Sequence, residues 1–300
     1  MSKGEFKVSG NLNGEIISVL NRAYLGFLTR PKEGRFVNRL RRLYKKSFIK
    51  RTELSEKEGL VPPPFLVCNF PDFISSGGEA ELSRQEEKWM NFFEEAVAMG
   101  INYTFVIGND PLRQEGLLQT LSKVKDMLFF LFTDGSSLNS SYIKFLDRYR
   151  NLLPVIMFDE RNETSSAAIS LLEKSRVFFG VCYNVKSDNI DRLSVEEIRK
   201  STDESIDGCR LIFIVNFDAD LDSSHIKEIE KVAEEVREVC PHAFVFNFPV
   251  ESKDDFVTFG SGKEYLFIGK DGKIYPDIHS ADAIGEASSD GLKTALKALS

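Results

Sequence analysis

The feature that most constrains this chain is a series of short, almost unbroken apolar runs. Leu128–Thr133 reads LFFLFT, with no polar residue before its last position. Comparable runs occupy Phe65–Phe70, Tyr103–Gly108, Leu153–Phe158, Val177–Tyr183, Leu211–Phe217 and Ala243–Phe248. Runs this short, rich in β-branched and aromatic residues and lacking alternation, are expected of parallel strands covered on both faces. The segments between them are long enough for crossover helices. In one of these, Ser83 and Glu86 form a capping-box pattern ahead of Trp89, Phe92, Phe93, Ala96 and Val97 at helical spacing, with Gly100 as a stop. Ser194 with Glu197 repeats the pattern, and Ile226, Ile229, Val232, Ala233 and Val236 mark a further amphipathic helix over Ser223–Val239. Strand and helix therefore alternate from Phe65 to about Phe248, which predicts an α/β fold. The spacing alone leaves a wound sheet and a barrel both open.

Outside that repeat the texture changes. Helices are expected over Glu15–Thr29 and Gly34–Arg51 before it; after it, a hairpin is expected at Tyr265–Ile268 and Lys273–Tyr275, with a closing helix. The organisation read from this is an N-terminal helical extension over 1–60, an α/β body over 61–250 and a hairpin-and-helix appendage over 251–300. Hydrophobic residues make up 42% and charged residues 28%, enough to build one large core without disulfides. Cysteines 68, 182, 209 and 240 include no CxxC pair, which suits a reducing interior, so a cytoplasmic location is the expectation. No run of about 18 apolar residues occurs, so no membrane span is expected.

Several stretches, in order, resemble a subgroup of the radical SAM superfamily that has a C-terminal auxiliary-cluster region. They are Pro62-Pro63-Pro64-Phe65-Leu66, Lys88-Trp89 with Glu94-Glu95-Ala96, the turn Gly108-Asn109-Asp110-Pro111-Leu112-Arg113, Phe132-Thr133-Asp134-Gly135, and Arg150-Asn151-Leu152-Leu153-Pro154-Val155. The resemblance covers roughly Leu60 to His279. It implies a partial TIM-type (β/α)6-like barrel, with Gly108, Asp110 and Pro111 as the remnant of the cofactor-binding turn. The family's CxxxCxxC loop supplies the thiolates of an iron–sulfur cluster. Here the corresponding loop, Pro71 to Gly78, contains no cysteine, and Tyr275-Pro276-Asp277 stands where relatives carry further cysteines. Asn109 and Asp110 replace a glycine and a glutamate of the turn, placing a side chain where backbone amides would approach S-adenosylmethionine. These departures imply no 4Fe–4S cluster, no other cofactor and weakened S-adenosylmethionine binding. They describe a pseudoenzyme retained as an interaction or regulatory scaffold, with a catalytically intact radical SAM relative as the implied partner.

Two further constellations remain. The ends of the strands are polar, with Asp72, Asn109, Asp110, Asp134, Asp159 and Glu160 placed to meet at a barrel mouth. Asn and Asp also favour such positions as caps and turn formers; the alternative is a divalent-ion or small-molecule site, with Asp110, Asp134, Asp159 and Glu160 at its centre. Between Arg30 and Arg51 the sequence carries ten basic residues against Glu33 alone, although the net charge is −7. Within this segment Arg39, Arg41, Arg42, Lys45 and Lys46 read either as the solvated face of a docked helix or as a surface for an acidic partner, nucleic acid or anionic lipid. The three histidines lie in no metal-ligand spacing, and no P-loop or GxGxxG is present.

Overall fold

A computed structural model of the protein describes residues 31–70, 78–159, 162–201, 211–215, 223–239, 244–247, 265–288 and 290–299. The expected helix over Glu15–Thr29 lies outside them, as do Asp72, Glu160, Cys209 and Cys240. The elements run α1 (Pro31–Glu58), β1 (Phe65–Asn69), α2 (Gly78–Ala98), β2 (Tyr103–Ile107), α3 (Glu115–Lys123), β3 (Leu128–Thr133), α4 (Ser140–Arg148), β4 (Leu152–Met157) and α5 (Glu163–Glu173). There follow β5 (Gly180–Asn184), α6 (Val195–Ser201), β6 (Leu211–Val215), α7 (Ser223–Val239), β7 (Phe244–Asn247), β8 (Tyr265–Ile268), β9 (Lys273–Tyr275), β10 (Gly285–Glu286) and α8 (Gly291–Leu299). Among the described residues one sheet holds every strand, in the order β10-β9-β8-β1-β2-β3-β4-β5-β6-β7. Strands β1 to β7 are parallel.

Because side chains alternate across a strand, each apolar run feeds two cores. On the outer face Leu66, Val106, Phe129, Leu131 and Ile156 pack under Trp89, Phe92, Phe93 and Ala96 of α2 and the other crossover helices. On the inner face Phe65, Tyr103, Phe105, Phe130, Phe132 and Phe213 form a second cluster. Phe213 of β6 meets Phe105 of β2 edge to face at 5.6 Å, although three strands lie between them in the sheet. The sheet therefore curls upon itself as a partial barrel whose interior is packed with aromatic rings, and the two edge strands β7 and β10 do not pair.

Helix α1 crosses the N-terminal end of this barrel. Its apolar stripe, Phe36, Val37, Leu40 and Leu43, enters the inner core, and Phe36 stacks on Phe178 just before β5 at 4.0 Å. Ser47 donates to the carbonyl of Gly100 ahead of β2 at 2.6 Å, Arg51 to that of Pro62 ahead of β1 at 2.8 Å, and Arg39 to that of Lys125 ahead of β3. Gly100 has φ +85°, and a Cβ there would stand 2.8 Å from the Ser47 carbonyl oxygen. Gly100→Ala is accordingly expected to lose about 1–3 kcal/mol of stability in urea unfolding, because positive φ and the close helix act together.

Three sequence expectations need correction. Helix α2 starts at Gly78, so Ser83 is an exposed residue inside it and not its cap; Glu79 to Leu82 are helix formers with nothing to stop propagation. The run Val177–Tyr183 joins the ladder only from Gly180, and Val177 to Phe179 are buried outside it. The terminal hairpin has the expected bounds, but β8 is a full member of the main sheet, parallel to β1 from Phe65–Tyr265 to Cys68–Ile268. Glu95 of α2 fastens the last helix to the barrel by accepting from the Leu292 and Lys293 amides at the start of α8. At the start of α6 the Ser194 hydroxyl accepts from the Glu197 amide at 3.2 Å, the serine half of the expected Ser194–Glu197 box.

Candidate functional site at the barrel mouth

The C-terminal ends of β2 and β3 meet in one hydrogen-bonded turn. Asp110 caps the short helical turn Pro111–Arg113, its Oδ1 accepting from the Leu112 amide at 3.1 Å and from the Thr133 hydroxyl at 2.7 Å. The other carboxylate oxygen accepts from the Ser137 hydroxyl at 2.8 Å and faces Arg113 Nε at 3.5 Å. Arg113 donates in turn to Ser137 and Ser136. With its side chain only 9% exposed, Asp110 has its carboxylate capacity taken up by neighbours on the same chain.

Gly108 has φ +100°, and the Asn69 carboxamide lies against it, its Oδ1 occupying the space a Cβ would need. That oxygen is buried with no hydrogen-bond partner. Side-chain packing from β1 thus covers one side of the turn in which Gly108, Asp110 and Pro111 lie. Asp134 is exposed; burial pushes its carboxyl upward, but the Ser136 hydrogen bonds and the charge of Arg113 outweigh this and hold it below the ordinary value.

Asp159 lies farther round the mouth. It borders a hollow of about 400 Å³ shared with Tyr183, Asn184 and Lys186, and the Asn184 Oδ1 is buried without a partner. Among the described residues no three His, Cys, Asp or Glu side chains come together as a metal site. The structure brings Asp110 close to Thr133, Ser137 and Arg113, none of which sequence reading singled out as partners. The signal was the Ser136-Ser137 pair directly after the Phe132-Thr133-Asp134-Gly135 turn.

The described cysteines do not fit an iron–sulfur cluster. Cys68 and Cys182 are fully buried on β1 and β5, and burial pushes both thiols well above their ordinary range, away from the thiolate form that ligation requires. They also belong to opposite faces of the sheet, one in the outer core and one in the inner.

At the other end of the barrel, the basic residues of α1 divide. Arg39 is half-buried, and Lys46 forms a 2.9 Å ion pair with Asp126 that holds the Asp126 carboxyl low, whereas Arg41, Arg42 and Lys45 are exposed.

The fold defined by this curled sheet and its helices is a radical SAM-like partial barrel. SuiB from Streptococcus suis, a radical SAM enzyme, shares it. Its structure bound to S-adenosylmethionine matches with a TM-score of 0.52 at 12% identity, over 77% of this chain and 64% of SuiB. A second SuiB structure, bound to the precursor peptide SuiA, matches with a TM-score of 0.51 at 13% identity, over 81% of this chain and 64% of that one. A third SuiB structure gives 0.53 at 12% identity, over 84% and 68%. The chain thus spans slightly under two thirds of SuiB in the first two comparisons, and at such identities the likeness concerns the fold alone. No protein-family profile and no curated protein matches the sequence. Among the described residues, no helix is long and apolar enough to cross a membrane.

Proposed function

We propose that the chain is a catalytically inactive, cluster-free protein of the radical SAM type, acting as an interaction or regulatory scaffold with a catalytically intact relative as its partner. The observation that supports this best is the closed hydrogen-bond set of Asp110, which gives the former cofactor turn a structural occupation. A barrel kept while its chemical donors are missing retains a surface and discards a reaction. Anaerobic reconstitution with iron and sulfide is expected to leave the protein without a stoichiometric cluster. A stoichiometric cluster with a thiolate-dependent absorption spectrum overturns the reading. Purification from a mixture with the active relative is expected to recover both chains, and recovery of this chain alone removes the scaffold role.

A second reading rests on Asn184, whose unpartnered oxygen borders the mouth hollow beside Asp159. It is a small-molecule site that retains ligand binding without cleavage. S-adenosylmethionine or a nucleotide would then raise the melting temperature saturably; an unchanged melting temperature for both eliminates it.

A further inference from the structure

The opposite end of the barrel holds a different kind of site. Between α1 and the loops that lead into β4 and β5 lies a cavity of about 870 Å³. Arg35, Arg39 and Arg42 reach it from one side of the helix, Arg150 from the loop after α4, and Arg176 from the loop before β5. Among the described residues that line it, Asp147 is the one carboxylate. The remaining wall is mostly apolar, with Phe36, Leu153 and Phe178 as its floor. A neighbouring hollow of about 1080 Å³ continues past Arg39, Arg42 and Arg150 towards Lys125 and Asp126.

Arg35, Arg42, Arg150 and Arg176 are exposed and Arg39 is half-buried. Five guanidinium groups gathered around one carboxylate is an arrangement whose mutual repulsion a bound anion would relieve. It stands out more in a chain whose net charge is −7. Arg39 shows the tension directly: its Nη2 reaches the Lys125 carbonyl, while its Nε is buried with no hydrogen-bond partner. Burial, and then the nearby Arg42, lower the Arg39 pKa, and the charge of Asp126 offsets this in part. Arg150 is tied to the Asp147 carbonyl at 3.2 Å through one nitrogen, and its carboxylate contact is a long 3.9 Å, so most of its five donors stay available.

Apolar walls with a few convergent polar groups, at this volume, are the properties of small-molecule pockets. Guanidinium forks match phosphate oxygens in charge and geometry. We infer that this basal cavity binds a small organic phosphate, its dianionic head held by the arginines and its apolar body lying on Phe36, Leu153 and Phe178. The site is independent of the barrel mouth, because it uses none of the residues there.

Calorimetry on the full chain with phenyl phosphate, inorganic phosphate and octanoate tests the inference. Phenyl phosphate is expected to bind at a single site, roughly tenfold or more tighter than inorganic phosphate, which lacks the apolar body, and tighter than octanoate, which carries one charge. Arg42→Gln combined with Arg150→Gln should weaken it by about tenfold or more, and Arg176→Gln should weaken it measurably, whereas Lys45→Gln on the same helix should leave it unchanged. Arg176 is an exposed loop residue, so its variant keeps the test meaningful if the double variant melts early. Absence of heat with phenyl phosphate up to about 1 mM, equal binding of inorganic phosphate, tighter binding of octanoate, or full affinity in Arg176→Gln each overturns the assignment.

Discussion

Phe213→Ala is expected to lower stability by about 3–5 kcal/mol, read as a fall in the urea midpoint with an unchanged slope. The size reflects where the ring sits. Phe213 is fully buried and touches Phe105, Phe130 and Phe132 at 5.6, 5.8 and 5.2 Å between centroids. Those rings come from β2 and β3, whereas in a flat sheet a β6 side chain would meet only residues of β5, β7 and a covering helix. Removing it opens a void at the place where the two sides of the curled sheet meet, and rigid strands cannot collapse to fill it. The exposed Ile49 on α1 provides the comparison, since truncating it should change stability by no more than about 0.5 kcal/mol. A loss at Phe213 below about 1.5 kcal/mol, the cost of a small buried trim, would mean that the barrel interior does not pack as described.

This use of Phe213 also shows how far the sequence was legible. The run from Leu211 reads plainly as a buried strand, because buried parallel strands are apolar on both faces. Which ring would meet which was not legible, since contacts across the barrel depend on curvature and not on local pattern. The same division holds elsewhere. Helix α7 was placed from its stripe of Ile229, Val232, Ala233 and Val236, yet the start of α2 was misplaced because a local capping pattern at Ser83 lost to an earlier nucleus. The hairpin at Gly269 to Gly272 announced itself by its turn, but nothing in Tyr265–Ile268 says that it lies parallel to β1, far away along the chain. At the mouth, Gly108, Asp110 and Pro111 are neighbours in the sequence and are read together as one turn, and Asp134 is read from the polar strand ends, whereas Asn69 packed on Gly108 is a contact that only the pairing of β1 with β2 creates. In the basal cavity Arg39 and Arg42 were visible as part of a basic segment. Arg150 and Arg176 were not, because only the return of the chain at β4 and β5 brings them beside α1.

Asp110→Ala is expected to lower stability by about 2–4 kcal/mol, and this result separates a structural carboxylate from one kept for a ligand. A ligand-binding carboxylate is usually strained or under-bonded in the free protein, so replacing it tends to cost little or to stabilise. A carboxylate that completes the local hydrogen bonding behaves in the opposite way. Its removal here would leave the Thr133 hydroxyl, the Ser137 hydroxyl and the Leu112 amide without their acceptor, and Arg113 without its nearby charge. Asp110→Asn should cost less, about 1–2 kcal/mol, because its oxygen can still accept from Leu112 and Thr133, and the Ser137 hydroxyl can rotate to accept from the new amide. The ordering Ala worse than Asn, with both below the parent, is what a self-satisfied turn requires. If Asp110→Ala were as stable as the parent, or more so, the carboxylate would be waiting for a partner from outside the chain, and the mouth would have to be treated as a binding site instead of a remnant.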